Sequence, residues 1–407
     1  MPGCIIRRCE SRPDSIGLDE DKLRVDATIL DARFKQSDQS PLWAEQLVPI
    51  EFKRHGSAND PFDDDAREDD IIAKADSRTK VRTQLAHYAE LLFGVQQRCF
   101  VLMILIIGPQ YRILRWDRVG VAVTPLKNYF TEWVEFIGIL SRIALAHASD
   151  PISLGFDPTA IRLHPNNPEW SYMSDAAEPC ETDIVVDGGE LPLLKEPYTF
   201  DYVRQAFRES LVADYPRYKI RVPHADGQRF FLICKPAYQM KDLFGRGTRG
   251  HVAIEYLTNR RPEEPFSFVF LKDTWRNADS RETEGNVVQR LDQLQVPNVP
   301  TLVCHGDASL PQGVQQTMTQ EYWKALSSRS RSSKRKGSER RVSNALGPDP
   351  LPKRIHYRYI VKEVGRPLHD CGCPCNLIEA IADSIEGTHP PTLRRRGSRA
   401  NLPDVST

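Results

Sequence analysis

The sequence predicts two successive units within 407 residues, an α/β unit followed by an α+β unit. Three observations carry this. In the first third, strand-like runs flank a long stretch of helical periodicity, the pattern of an α/β domain. In the second half, strand-like runs follow one another with a single helical stretch between them, the pattern of a mostly antiparallel sheet. Between the two lies a segment rich in Pro, Asn, Asp and Glu, the composition of a linker.

Residues 1–22 show no pattern and are expected to be disordered. The first unit is placed at 23–158. LRVDATIL, starting at Leu23, and QLVPIEFK at 46–53 read as strands. The acidic stretch SANDPFDDDAREDD reads as a loop. A helix is expected from Ser77 to Gln97, because Val81, Leu85, Tyr88 and Leu92 recur on one face. FVLMILII at 100–107 and YRILRWDR after it read as strands joined at Gly108-Pro109. A second helix is expected at 131–147, with Trp133, Phe136, Ile137, Leu140 and Ile143 at helical spacing. Residues 159–200 are the expected linker.

The second unit is placed at 201–387. FFLICK (230–235), HVAIEYL (251–257), FSFVFLK (266–272), PTLVCH (300–305) and YRYIVKEV (357–364) read as strands, with one helix at about 280–294. Residues 326–354 are polar, basic and Pro-ending, and are expected to be a disordered insertion. The tail 388–407 is expected to be disordered too.

Composition narrows the class more than the function. Fifty-five basic residues balance fifty-five acidic ones, so net charge favours no partner. The N-terminus has no apolar run of leader length. The most apolar stretch, FVLMILII, is far short of the roughly twenty residues that span a bilayer. No membrane partner is expected. Nine cysteines without a leader point to reduced thiols in an intracellular setting, cytoplasm or nucleus.

The motif with most chemistry in it is GRGTRGHVAIEY at 245–256. Gly245, Gly247 and Gly250 stand in a G-x-G-x-x-G frame, with Val252 two residues on. Glycines so placed let backbone N–H groups approach phosphate oxygens. A dinucleotide fold needs a helix directly after them. Here a strand follows, and the hairpin version of the loop belongs to protein kinases. That version asks for a lysine on the next strand, and FVFLKDTW supplies Lys272. It asks for a glutamate on the following helix, and Glu284 is the first candidate, Glu282 the second. It asks for a hinge after a later strand, and Glu363, Val364 and Gly365 follow Lys362.

Together GRGTRGHVAIEY, FLKDTW, TEGNVVQRL, RIHYRYIVKEVGRPL and LIEAIADSIEG resemble the fungal-type protein kinase family. VPIEFKR, QLAHYAELLFGVQQRCFVLMILIIG, RILRWDRVGVAVT and LGFDPT are similar to the region before the kinase lobes in that family. The resemblance covers most of 23–385. It implies a kinase-like N-lobe and the start of a C-lobe within 201–387. It implies ATP held at Gly245, Gly247, Gly250, Val252 and Lys272. Glu284 would position the lysine, and Glu363, Val364 and Gly365 would cradle the adenine edge. Mg²⁺ is the companion ion and a protein Ser/Thr the phosphate acceptor.

The family also carries an H-R-D-type loop and a D-[FWY]-[GE]-type segment after the helix that opens LIEAIADSIEG. No H-R-D occurs in this chain. After Gly387 comes THPPTLRRRGSRANLPDVST, with two consecutive prolines and no apolar periodicity. The expectation is a family chain truncated before the catalytic loop, with no complete catalytic or metal site and no phosphotransfer as written. The alternative is a nucleotide-binding or interaction module, a pseudokinase.

The first unit carries a second constellation. Glu51-x-Lys53 ends a strand, Asp26 lies on the strand before it, and Gln84 and Tyr88 are one helical turn apart. Acid, E-x-K and Q-x-x-x-Y in this order resemble PD-(D/E)xK nucleases, which have a restriction-endonuclease-like fold. That resemblance implies Asp26 and Glu51 at a divalent metal, Lys53 stabilising charge, Gln84 and Tyr88 orienting the site, and nucleic acid as partner. Cys371, Cys373 and Cys375 read as structural thiols rather than a zinc knuckle, because their spacing is not C-x-x-C. The basic run from Arg329 to Arg341 reads as a solvated insertion. Trp116 reads as core, with Asp117 and Arg118 as polar anchors at a strand end.

Overall fold

A computed structural model describes residues 3–9, 24–33, 42–64, 75–185, 198–322 and 351–367, with positions 374, 378, 381 and 382. The first unit contains β1 (Cys4–Arg8), β2 (Ala27–Asp31), β3 (Val48–Lys53), α1 (Asp76–Val95), β4 (Val101–Ile107), β5 (Gln110–Trp116), β6 (Val121–Val123), β7 (Lys127–Asn128) and α2 (Trp133–Ser149). Then come β8 (Ala160–Arg162), α3 (Pro168–Ala177) and α4 (Asp201–Ser210). The second unit contains β9 (Tyr218–His224), β10 (Gly227–Ile233), β11 (Tyr238–Gln239), β12 (Arg249–Glu255), β13 (Phe268–Asn277), α5 (Glu284–Gln293), β14 (Leu302–Asp307), β15 (Ser309–Leu310), β16 (Gly313–Val314) and β17 (Arg354–Val361). The fold is mixed, α/β followed by α+β, as the sequence pattern implies.

The first sheet runs β1-β2-β3-β4-β5-β6, with β7 beside β5. Only β3 and β4 pair in parallel, and α1 is the crossover between them. FVLMILII is apolar throughout because β4 is covered on both faces. Met103, Leu105 and Ile107 pack with Leu85, Tyr88 and Leu92 of α1. Ile104 and Ile106 pack with Ile143 and Ala144 of α2. The outer flank of α2 is more open than its periodicity implies: Trp133 is 61% exposed and Ile137 53%.

The second sheet runs β14-β17-β13-β12-β10-β9-β8, with β11 beside β12. It is antiparallel throughout. The sheet curls until β14 approaches β9. Its concave side is filled by Ile220, Phe231, Ala253, Leu271 and Ile360. The opposite face carries Val252, Ile254 and Phe268, which share a core with α1, Val203 and Phe207.

Two expectations are corrected. Residues 1–22 were expected to be disordered throughout, yet CIIRR forms β1 against Ala27–Asp31. Cys4 is buried while Ile6 is exposed, so the apolar alternation is present but too short to stand out. Residues 159–200 were expected to be a linker, yet 160–162 extend the second sheet and Pro168 opens a helix. Proline fits the first turn of a helix, where its missing N–H costs nothing. Residues 326–350, the Cys371, Cys373, Cys375 cluster and the tail 388–407 lie outside the described residues. Of the expected C-lobe start, positions 374, 378, 381 and 382 are described, and all are helical. Among the described residues no helix is long and apolar enough to cross a membrane.

Candidate functional site

The site is built on the convex face of the second sheet. Side chains alternate across a strand, and β12 pairs with β13 so that Gly250 faces Lys272 and Val252 faces Phe270. Val252, Phe270 and Lys272 therefore share one face. The helix α5 lies on the same side and brings Glu284 down to the lysine. Its start is fixed locally: the Thr283 hydroxyl accepts from the Asn286 N–H. The Tyr357 hydroxyl, from β17, accepts from the Gly285 N–H at 2.9 Å. Lys272 Nζ then donates to Glu284 Oε2 at 2.6 Å. Arg246, from the glycine loop, pairs with the other carboxylate oxygen. Burial works against the ionised Glu284, but Lys272 and then Arg246 outweigh it and hold its carboxyl below the usual range.

The glycine loop joins β11 to β12. Gly245 has φ +112° and Gly247 φ +49°, both in the region that disfavours side chains. A Cβ at Gly247 would stand 2.5 Å from Cζ of Arg118. One at Gly250 would stand 2.5 Å from Cζ of Phe270. Only Gly245 of the three opens onto free space. The loop tip is fastened to the strand beyond Lys272, because the Arg246 carbonyl accepts from the Trp275 N–H at 2.8 Å.

The hinge residues follow β17. Both Glu363 carboxylate oxygens accept from Thr301, from its N–H and its hydroxyl, at 2.7 Å each. The Val364 side chain is buried in the core shared with α1, and its carbonyl accepts from the Tyr202 hydroxyl of α4 at 2.8 Å. Gly365 faces open space. Arg246 and Tyr202 are members of the site that no motif marks. The position of Arg246 between two loop glycines was the one available signal for it, and Tyr202 left none.

The first unit gathers its own constellation. Glu51 and Lys53 point the same way from β3, and Lys53 Nζ donates to Glu51 Oε1 at 2.5 Å. The same ammonium donates to Gln84 Oε1 at 2.9 Å. Gln84 Nε2 donates to the Tyr88 hydroxyl at 2.5 Å, and that hydroxyl reaches Glu51 Oε2 at 3.2 Å. Asp26 is exposed and accepts from the Phe52 N–H at 2.8 Å. Burial pushes the Glu51 carboxyl above its usual range although Lys53 pulls it down. Burial, with Glu51 beside it, raises Tyr88 as well. The structure thus joins Glu51, Lys53, Gln84 and Tyr88 directly and sets Asp26 beside them. Among the described residues no group of three or more His, Cys, Asp or Glu side chains is gathered as for a metal ion.

Trp116 is buried, and Asp117 and Arg118 anchor the turn after β5. Asp117 Oδ2 accepts from the N–H groups of Met318 and Thr319 at 2.8 and 2.9 Å.

Neither the curated proteins nor the solved structures returned a significant match to the chain. A family model described as fungal protein kinase matches residues 70–390. That span takes in the first unit from α1 onward, the second sheet, the glycine loop, Lys272, Glu284 and the hinge, while β1, β2 and β3, with Asp26, Glu51 and Lys53, precede it. With the match covering more than half of its length, the chain belongs to the fungal protein kinase family.

Proposed function

We propose that the chain binds ATP on the convex face of its second sheet. The observation that carries this reading is the 2.6 Å pair between Lys272 and Glu284, on the face that also bears Val252. A lysine held by a helix-borne glutamate is the arrangement kinases use to grip nucleotide phosphates. The residues fit the phosphate end best. Lys272 is a fixed cation, and Gly245 leaves open space at the loop. The adenine end is narrower: Phe270 leans over Gly250, and the Val364 carbonyl already holds Tyr202. Adenine would have to share or displace that hydroxyl.

ATP with Mg²⁺ is the family's general chemistry. The described residues offer no complete metal centre, and no step is derived through the ion. Transfer to a protein Ser or Thr also needs groups that position the acceptor hydroxyl. The sequence has no H-R-D loop to supply them, so we read this chain as a nucleotide binder without phosphotransfer of its own. The test is titration of the purified 407-residue chain with a fluorescent ATP analogue. Lys272→Ala should weaken binding by about ten-fold or more, the loss expected for removing a charge-assisted contact. Equal binding by both chains would remove the reading. Lys272-dependent incorporation of labelled phosphate would overturn the absence of transfer.

A second reading, a nuclease-related, nucleic-acid-binding first unit, draws on the meeting of Glu51, Lys53, Gln84 and Tyr88. Asp26 and Glu51 are two carboxylates that already hold hydrogen bonds, which does not make a metal centre. The test is Mn²⁺ titration, which should show binding that Glu51→Ala abolishes. Identical titrations would discard the idea.

A further inference from the structure

Arg118 belongs to the first unit, yet its side-chain hydrogen bonds are with the glycine loop of the second. It is 5% exposed, and among the described residues no carboxylate pairs with it. Its Nη1 donates to the carbonyls of Asp242 and Leu243 at 3.2 Å each. Its own carbonyl accepts from the Gly245 N–H at 2.8 Å. Its guanidinium lies 4.3 Å above the Phe93 ring at the end of α1. Next to it Trp116 stacks on Phe244, another loop residue, at 6.2 Å. Burial, aided by the nearby Arg249, lowers the guanidinium pKa to about 9. A cation so buried is costly unless its hydrogen bonds are met; the loop carbonyls meet those of Nη1, while Nε is buried without a partner among the described residues. The glycine at 247 is what allows the approach, since a Cβ there would collide with the guanidinium.

We infer that Arg118 is a positioning residue for the glycine loop, through which the first unit sets the shape of the loop above Lys272 and so the nucleotide affinity of the second. The affinity part rests on the nucleotide reading given above. The contact part does not. The loop is held on two sides: Arg118 grips its carbonyls, and the Arg246 pair with Glu284 ties its tip to α5.

The experiment compares the full chain with Arg118→Met, which keeps the apolar stem and removes the donors. Without nucleotide, amide exchange at 242–247 should speed up by about ten-fold or more while β13 stays protected, as in local opening. Affinity for the fluorescent ATP analogue, measured well below the melting temperature, should fall by about ten-fold through loss of preorganisation. Unchanged exchange at 242–247 overturns the clamp. Faster exchange with unchanged affinity overturns the link to binding. If the wild-type chain fails to bind the analogue, the nucleotide reading fails, and exchange alone decides the clamp. Should Arg118→Met not fold, Gly247→Ala serves, because it crowds the guanidinium from the loop side. It should speed the same amides and weaken binding, and wild-type behaviour on both counts would sink the proposal.

Discussion

Each unit's candidate site holds a lysine–glutamate pair, and the two are built in opposite ways. Glu51 and Lys53 are two residues apart on one strand, 2.5 Å apart at their charges, with side chains 4% and 20% exposed. Lys272 and Glu284 come from a strand and a helix, 2.6 Å apart, with side chains 26% and 34% exposed. Their protonation behaves oppositely too. Burial wins at Glu51 and raises its carboxyl, whereas at Glu284 the cations overcome burial and lower it. A pair within one strand is fixed by the pleat, and it cannot open without breaking the sheet. A pair between strand and helix lasts only while the helix stays docked. The first arrangement is suited to a rigid site, the second to one that can be switched.

The largest expected difference is in stability. Lys53→Met would leave Glu51 buried without its cation, and should cost about 3 kcal/mol, the lower end for a broken buried pair. Lys272→Met should cost less than about 1 kcal/mol, because that pair is partly solvated. Urea denaturation of both variants measures this, and equal losses would erase the distinction.

Next in size is the pH dependence. A carboxyl raised in the folded state contributes stability below its ordinary value, lost as pH rises through the folded value. Glu51 should therefore weaken the fold as pH climbs above 4.5, and Glu51→Gln should flatten that slope. Glu284 is lowered, so its contribution is present above 4.5 and lost as pH falls through the folded value. Glu284→Gln should remove a loss on the acid side. Slopes of the same sign for the two carboxyls would contradict the comparison.

The smallest effect concerns the hinge. Tyr202→Phe frees the Val364 carbonyl and should strengthen binding of the ATP analogue by about two- to five-fold, the scale of one modest hydrogen bond. Weaker binding would mean that the hydroxyl supports the site instead of competing for it.

What could be read in advance followed from local geometry. Glu51-x-Lys53 is legible because alternate residues of a strand share a face. Gln84 and Tyr88 are legible because four residues make a helical turn. Gly245, Lys272 and Glu284 could be ordered along the chain before any contact was known. Contacts between distant segments leave no period to read. Tyr202 meets Val364 across 162 residues, and Arg118 meets Leu243 across 125. The glycines also had a reason the motif did not contain: Gly247 and Gly250 make room for Arg118 and Phe270. Composition misled at α3, where Asn167-Pro168 marks a helix start inside a stretch that otherwise reads as linker.

The boundary that composition suggests near residue 158 runs through a buried ion pair. Arg358, in the second unit, is 1% exposed and bonded to Asp157 in the first. Parting the two units would break this pair and the bond from Arg358 to the Thr159 hydroxyl, and would leave Arg358 with Asp273 of its own sheet at 3.6 Å, a loss for any descendant without its other half. The units should consequently be inherited together.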